Sequence, residues 1–390
     1  MIKLPREGQF WLLAIVILFA AGWMKGINLI LLLTHLMVCL IALNWIIAFR
    51  QVRGLRAERR APALLFAGEE CTWDVLLTNN RERASHGIVL NDSGMAHDQQ
   101  IFVARLEEKS EVHLGVRQVF PNRGRYSLRA ISVECLYPFG LTGRERVVGG
   151  AEEWVILPQL GRLNAGRFRR WLATTARGDG RIHRLARPSM IRQDDLHGLR
   201  PFRLGDSPRW IHWRTSARRN QRMVREFEEA AGQNLVIVFD TWSPKPGPPA
   251  SSADFEDAVS LAAAVCNEWC SQRQDQLVLA VAGATPTVLS GYTCRATLVQ
   301  MLRRLAITSG EADYSIQPLL SAASKHRHSD SPVLVIGARK KSPLVSGLAL
   351  AWHRPVLCLT ADSAREFYEP PRAAIPPTAV RETTVRAKRG

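Results

Sequence analysis

Asp194, Asp195, His197 and His212 gather acid and base groups on either side of a Gly205-Asp206 turn, the minimum inventory for moving protons. No nucleophile elbow, phosphate loop, paired-histidine zinc helix or dinucleotide fingerprint accompanies them. Asp206 reads as a turn residue pairing with Arg209 or Arg218, so catalysis is not expected. The same stretch is dense in cations. Between Gly161 and Arg225 there are seventeen Arg and no Lys against four Asp and no Glu, so this segment supplies +13 of the net charge of +17. That density calls for an anionic neighbour, and guanidinium groups favour planar, bidentate contacts with carboxylates or phosphates. The candidates are an acidic protein face, anionic lipid head groups or nucleic acid. Trp210 and Trp213, three apart, predict a packing stripe on one helical face.

Residues 198–218 read GLRPFRLGDSPRWIHWRTSAR. Gly205, Asp206, Arg209, Ile211, Trp213, Ala217 and Arg218 match a Gly-Asp-x-x-Arg-x-Ile-x-Trp-x-x-x-Ala-Arg block, and the chain resembles the bacterial domain-of-unknown-function family 58. Tyr137-Pro138-Phe139-Gly140-Leu141 and Asp254-Phe255-Glu256 are also similar to that family. The resemblance implies a membrane-anchored protein with a von Willebrand factor A-like domain and a MoxR-type AAA+ ATPase as partner. Domains of that type begin a cation site with Asp-x-Ser-x-Ser, one carboxylate and two hydroxyls for a hard ion. This chain reads Asp240-Thr241-Trp242-Ser243-Pro244. Trp242 and Pro244 cannot ligate, and Thr241 and Ser243 are out of register. Mg²⁺ would need a local rearrangement, so neither metal nor other cofactor is expected.

Several elements must position these residues. Residues 10–24 and 27–49 are uncharged apolar runs, the second long enough for a hydrocarbon core of roughly 30 Å. They predict a transmembrane helical hairpin over 1–54, with His35 and Asn44 making helix–helix hydrogen bonds. Lys3 and Arg6 precede the hairpin and Arg50, Arg53, Arg56, Arg59 and Arg60 follow it, against Lys25 alone in the turn. The positive-inside bias then puts both termini and the soluble domains in the cytoplasm, at a bacterial inner membrane. Seven cysteines without a zinc-like spacing fit a reducing compartment, with no disulfide expected.

Short alternating segments predict an all-β sandwich over 55–150. An arginine-rich connecting segment carrying the block follows over 151–230, helical from Ile211 to Glu229. Buried strands alternating with helices then predict a doubly wound α/β domain over 231–362, von Willebrand A-like by the resemblance, with its ligand position at the strand ends near Asp240. A disordered basic tail is expected over 363–390. The reading is a non-enzymatic, membrane-anchored scaffold or adaptor. A divergent cation-dependent hydrolase and a nucleic-acid-binding membrane protein are the alternatives.

Overall fold

The computed structural model describes residues 2–92, 99–176, 196–202, 211–227, 234–244, 252–271, 275–324, 331–353, 355–371 and 385–388. The chain forms two compact units, Met1–Gln159 with Arg372–Gly390, and Leu160–Pro371. The expected connecting segment over 151–230 is therefore not a separate element. Its first residues close the first unit and the rest opens the second.

In the first unit a short strand β1 (Ile2–Lys3) leads into helix α1 (Arg6–Lys25), and α2 (Asn28–Gln51) follows. Both helices are long and apolar enough to cross a membrane, and only 11% of each hydrophobic window is buried. They turn at Gly26, whose φ of 63° is left-handed and whose N–H returns to the Gly22 carbonyl, a conformation that favours glycine. Gly22 lets the helices close, since a Cβ there would meet Ile30 and Leu31 at 3.1–3.2 Å, as small residues do in apolar helix pairs. The expected helix–helix hydrogen bonds are absent at His35 and Asn44. His35 bonds the Leu31 carbonyl of its own helix, and Asn44 reaches into the β domain.

The strands that follow are β2 (Leu55–Arg60), β3 (Glu70–Asn79), β4 (Ser85–Asp92), β5 (Gln99–Leu106), β6 (Glu111–Val119), β7 (Gly124–Leu128), β8 (Ser132–Cys135), β9 (Gly143–Val147) and β10 (Glu152–Ile156). One sheet runs β2-β3-β6, a second β1-β9-β8-β4-β5, and β7 pairs β10. Val75, Leu77 and Leu114 of the first share one core with Ile88, Leu90, Ile101 and Val133 of the second, so each strand's inward alternate residues are spent on burial. Because β1 pairs β9, the chain enters α1 from the β domain and leaves α2 back into it. The Asn79 turn is internally satisfied: its side chain bonds Arg83, Glu107 and Arg81 backbone groups.

The second unit opens with β11 (Arg162–Leu163) and α3 (Ala165–Ala176), then a hairpin of β12 (Leu196–Pro201) and β13 (Met223–Phe227) with α4 (Trp213–Arg219) between them. Its main sheet contains β14 (Leu235–Phe239), β15 (Gln276–Val281), β16 (Thr287–Tyr292), β17 (Val333–Ile336) and β18 (Val356–Leu359), ordered β16-β15-β14-β17-β18. All pairings are parallel except the β16 edge. The helices are α5 (Ala253–Cys270), α6 (Arg295–Ile307), α7 (Gln317–Ser324) and α8 (Pro343–Trp352). Val236, Val238 and Val335 pack with Leu319 of α7 and Leu344 and Leu348 of α8, while Phe239, one residue out of phase, meets Phe255 of α5 at 5.7 Å. Helices thus cover both faces, as strands with continuous apolar sequence require.

Two boundaries differ from expectation. The helix expected over 211–229 ends at Arg219, because Asn220 turns left-handed (φ 49°) and 223–227 pairs β12 instead. The unit also continues past residue 362: Ala364, Phe367 and Tyr368 are buried, β19 (Tyr368–Glu369) pairs β11, and β20 (Val385–Lys388) pairs β6 of the first unit. Within the expected tail over 363–390, residues 363–369 and 385–388 are thus structured.

The β domain encloses an ion pair. Arg59 is buried and bonds Asp92 at 2.5 Å, with the Arg129 and Gly150 carbonyls taking its other N–H groups. Removing one partner leaves a charge stranded. Asp92→Ala should therefore cost about 3–5 kcal/mol of stability, read by chemical denaturation of the detergent-solubilised full chain, with Lys109→Ala at an exposed pair nearly neutral.

Candidate functional site

The sequence block lies in part outside the described residues: Asp194, Asp195, Gly205, Asp206, Arg209 and Trp210 all do. What is described is its second half. Ile211 is buried and bridges Val224 of β13. His212 starts α4: its Nδ1 accepts from the Thr215 N–H, and its own N–H donates to the Met223 carbonyl. Ser216 Oγ in turn accepts from the Met223 N–H at 2.9 Å. The short helix is thereby pinned to β13, with the His212 ring engaged as its cap.

Pinning one face turns the other outward. Trp213 is 67% exposed, and Arg214, Ala217, Arg218, Arg219 and Arg222 are exposed beside it. The expected packing stripe is therefore corrected at Trp213, which is a surface residue. A seven-residue helix held through Ile211, His212 and Ser216 has no buried face left for the indole. Among the described residues none of Arg214, Arg218, Arg219 and Arg222 forms an ion pair with a carboxylate. The result is an exposed indole within a field of guanidinium groups.

The other candidate is Asp240, at the carboxyl end of the central strand β14 and fully buried. Its Oδ1 accepts from the Trp242 N–H at 2.9 Å and from the Tyr314 hydroxyl. Its Oδ2 accepts from Arg339 Nε at 2.9 Å and from Ser342 Oγ at 2.5 Å. The Arg339 guanidinium also lies over the Trp242 ring, 5.0 Å from its centroid. Gly337 permits this closure, because a Cβ there would stand 2.7 Å from that of Asp240. Ser342 also caps α8 through the Leu344 N–H, so the positive end of that helix faces the carboxylate. Burial, then the neighbouring Asp240 charge, push the Tyr314 phenol far above its ordinary value of 10.0, keeping it a donor.

These residues do not fit a divalent cation. The carboxylate has about four lone-pair positions, and four different groups already donate to them, one of them carrying the compensating positive charge. Thr241 continues the strand alternation to the opposite side, and its hydroxyl is buried without a hydrogen-bond partner among the described residues. Ser243 is buried, its N–H on the Glu311 carbonyl. Tyr314, Arg339 and Ser342 were missed by sequence reasoning. Only the final Asp of NLVIVFD marked the position.

Residues 198–337 match the family described as protein of unknown function DUF58. A 67-residue stretch is 36% identical to the uncharacterized protein YeaD of Bacillus subtilis (strain 168), covering 17% of this chain and 15% of that protein. The chain thus spans a small part of that relative's length. Among solved structures, the CARDB domain of PF1109 from Pyrococcus furiosus aligns over 26% of this chain and 92% of its own, at 13% identity and a TM-score of 0.20.

Arg339→Ala strands a buried carboxylate and should cost about 3–5 kcal/mol by chemical denaturation, while titration of the unaltered protein with Mg²⁺ in a calorimeter should be flat. Tyr314 gives a pH signature. Its native value is raised, so its contribution is complete below 10.0 and is lost as pH rises above that point. Tyr314→Phe should flatten the alkaline fall in melting temperature relative to the parent protein.

Proposed function

We propose that this chain, whose residues 198–337 belong to the DUF58 family of unknown function, is a membrane-anchored adaptor that docks an acidic face of a protein partner. The observation that carries the reading is the exposed Trp213 among Arg214, Arg218, Arg219 and Arg222. Tryptophan and arginine are the side chains most enriched where binding energy concentrates, and an exposed indole has no folding role to explain it. By the family resemblance the partner is a MoxR-type AAA+ ATPase, which would supply the nucleotide hydrolysis for which this chain has no phosphate loop. The same resemblance makes the α/β unit von Willebrand A-like, here working without a cation. Arg339 supports that: the carboxylate a cation would need is already neutralised by a side chain. A cation-dependent hydrolase loses its support for the same reason.

The anchor is α1 and α2. Their outward residues, among them Phe10, Val16, Trp23, Leu29 and Leu32, are more than half exposed, and so much bare apolar surface is stable only in lipid. A core helix of a water-soluble protein would be largely covered. The positive-inside bias of the basic flanks supports both termini lying in the cytoplasm of a bacterial cell, at its inner membrane. Anionic head groups remain a second use for the arginines. Nucleic acid is disfavoured, since no nucleic-acid-binding motif accompanies them.

The test is capture of a purified MoxR-type ATPase by the solubilised full chain. Trp213→Ala and Arg218→Glu should each weaken capture by roughly 30-fold, the effect of losing a contact of about 2 kcal/mol, while melting temperature stays unchanged. Equal capture by both variants and the parent would remove this surface from the interface. A reporter active only in the periplasm, fused to Gly390, should stay silent.

A further inference from the structure

The Tyr137-Pro138-Phe139-Gly140-Leu141 segment joins β8 to β9 and has no part in either candidate site. It is fastened to the helices. Asn44 of α2 is fully buried; its amide N–H groups donate to the Thr142 carbonyl at 2.6 Å and to Thr142 Oγ1 at 2.9 Å, and its Oδ1 accepts from the Phe139 N–H at 2.9 Å. Leu141 lies against the first turn of α1, so closely that a Cβ on Gly8 would fall 1.9 Å from the Leu141 carbonyl oxygen. The loop is therefore wedged at the level where both apolar helices meet the β domain.

At that level the loop turns aromatic side chains outward. Tyr137 is 42% and Phe139 53% exposed, and Trp45, which follows Asn44 on α2, is 40% exposed. Tyr137 is held by stacking on His86 at 5.6 Å, so its exposure is fixed and not incidental. Cations lie towards the same end of the hairpin: Arg53 and Arg144 lie over the Phe49 ring at 4.8 and 5.2 Å, and Arg6 and Arg50 flank the helix ends. Aromatic rings with a polar or backbone tether, ringed by basic residues, match the boundary between hydrocarbon and anionic head groups.

We propose that this loop is an interfacial membrane anchor, inserting Phe139 and Tyr137 into the head-group boundary of an anionic bilayer and fixing the β domain at the membrane surface. The proposal rests on the reading that α1 and α2 span the bilayer. It gives Asn44 a reason to be buried near the end of an apolar helix: a polar group there is costly unless it is bonded, and its bonds set the height of the loop.

The test places a nitroxide at Phe139→Cys, and separately at Val38→Cys in mid-helix, in the full chain carrying Cys39→Ser and Cys294→Ser. Each is reconstituted in nanodiscs of phosphatidylcholine and phosphatidylglycerol, and accessibility to oxygen, which partitions into lipid, is compared with that to a water-soluble nickel chelate. The expected result is lipid-like accessibility at both positions, with Asn44→Leu returning the label at 139 toward water. A water-like label at 139 beside a lipid-like label at 38 overturns the loop anchor and leaves the spanning helices intact. Water-like labels at both overturn the spanning reading and the anchor with it.

Discussion

A carboxylate with no exposed surface must be neutralised where it stands, and Asp240 imposes that demand on the carboxyl end of the α/β sheet. Stranding such a charge costs several kcal/mol. The loops that follow the strands are accordingly arranged around it: the 240–243 turn after β14, Tyr314 ahead of α7, and Arg339 with Ser342 between β17 and α8. Open parallel sheets usually receive ligands at this end. Here the position is filled from within, and the side chain that fills it is a cation. The carboxylate that would invite a cation at this strand end is thus already bonded by four protein donors.

Arginine serves two opposed purposes in this chain, and burial separates them. Arg59 and Arg339 are satisfied internally, each against one aspartate and further oxygen acceptors. A guanidinium tolerates this because its planar fork can meet several acceptors at once. The arginines of α4 and its C-terminal turn are instead exposed, and none of them pairs with a carboxylate among the described residues. Composition treats both classes alike. The charge of the second unit is therefore a poor guide until the internally paired guanidinium groups are set aside; four of the seventeen arginines between Gly161 and Arg225 lie on α4 and its C-terminal turn.

Much of the architecture was legible because it follows from periodicity. The apolar helices, the alternating strands of the β domain and the buried strands alternating with helices are properties of neighbouring residues. Failures came where the deciding contact is remote. Nothing near Asp240 in sequence names Tyr314, Arg339 or Ser342, which lie 74, 99 and 102 residues away. Asn44 read as a helix–helix donor because its partners at 139 and 142 belong to a turn between strands. Trp213 read as core because spacing was applied to a helix nearly three times as long as the seven-residue one observed; once Asn220 ends that helix, three-residue spacing no longer defines a buried face. Residues 363–371 read as tail because their burial depends on β11 and on Gly161, where a Cβ would stand 2.3 Å from the Tyr368 ring.

The first unit shows how an apolar hairpin can be joined to a β domain without a flexible hinge. β1 pairs β9 before α1 begins, Lys3 bonds Glu134 at 2.6 Å, and β2 starts four residues after α2 ends. The start of α1 is thereby tied to one sheet of the β domain and the end of α2 to the other, and Asn44 adds a bond from within α2 itself. A helix pair held at both ends and once along its length transmits its position to the domain. If the helices span a bilayer, whatever fixes them there fixes the β domain too, and the first unit sits at one height instead of ranging over a tether's length.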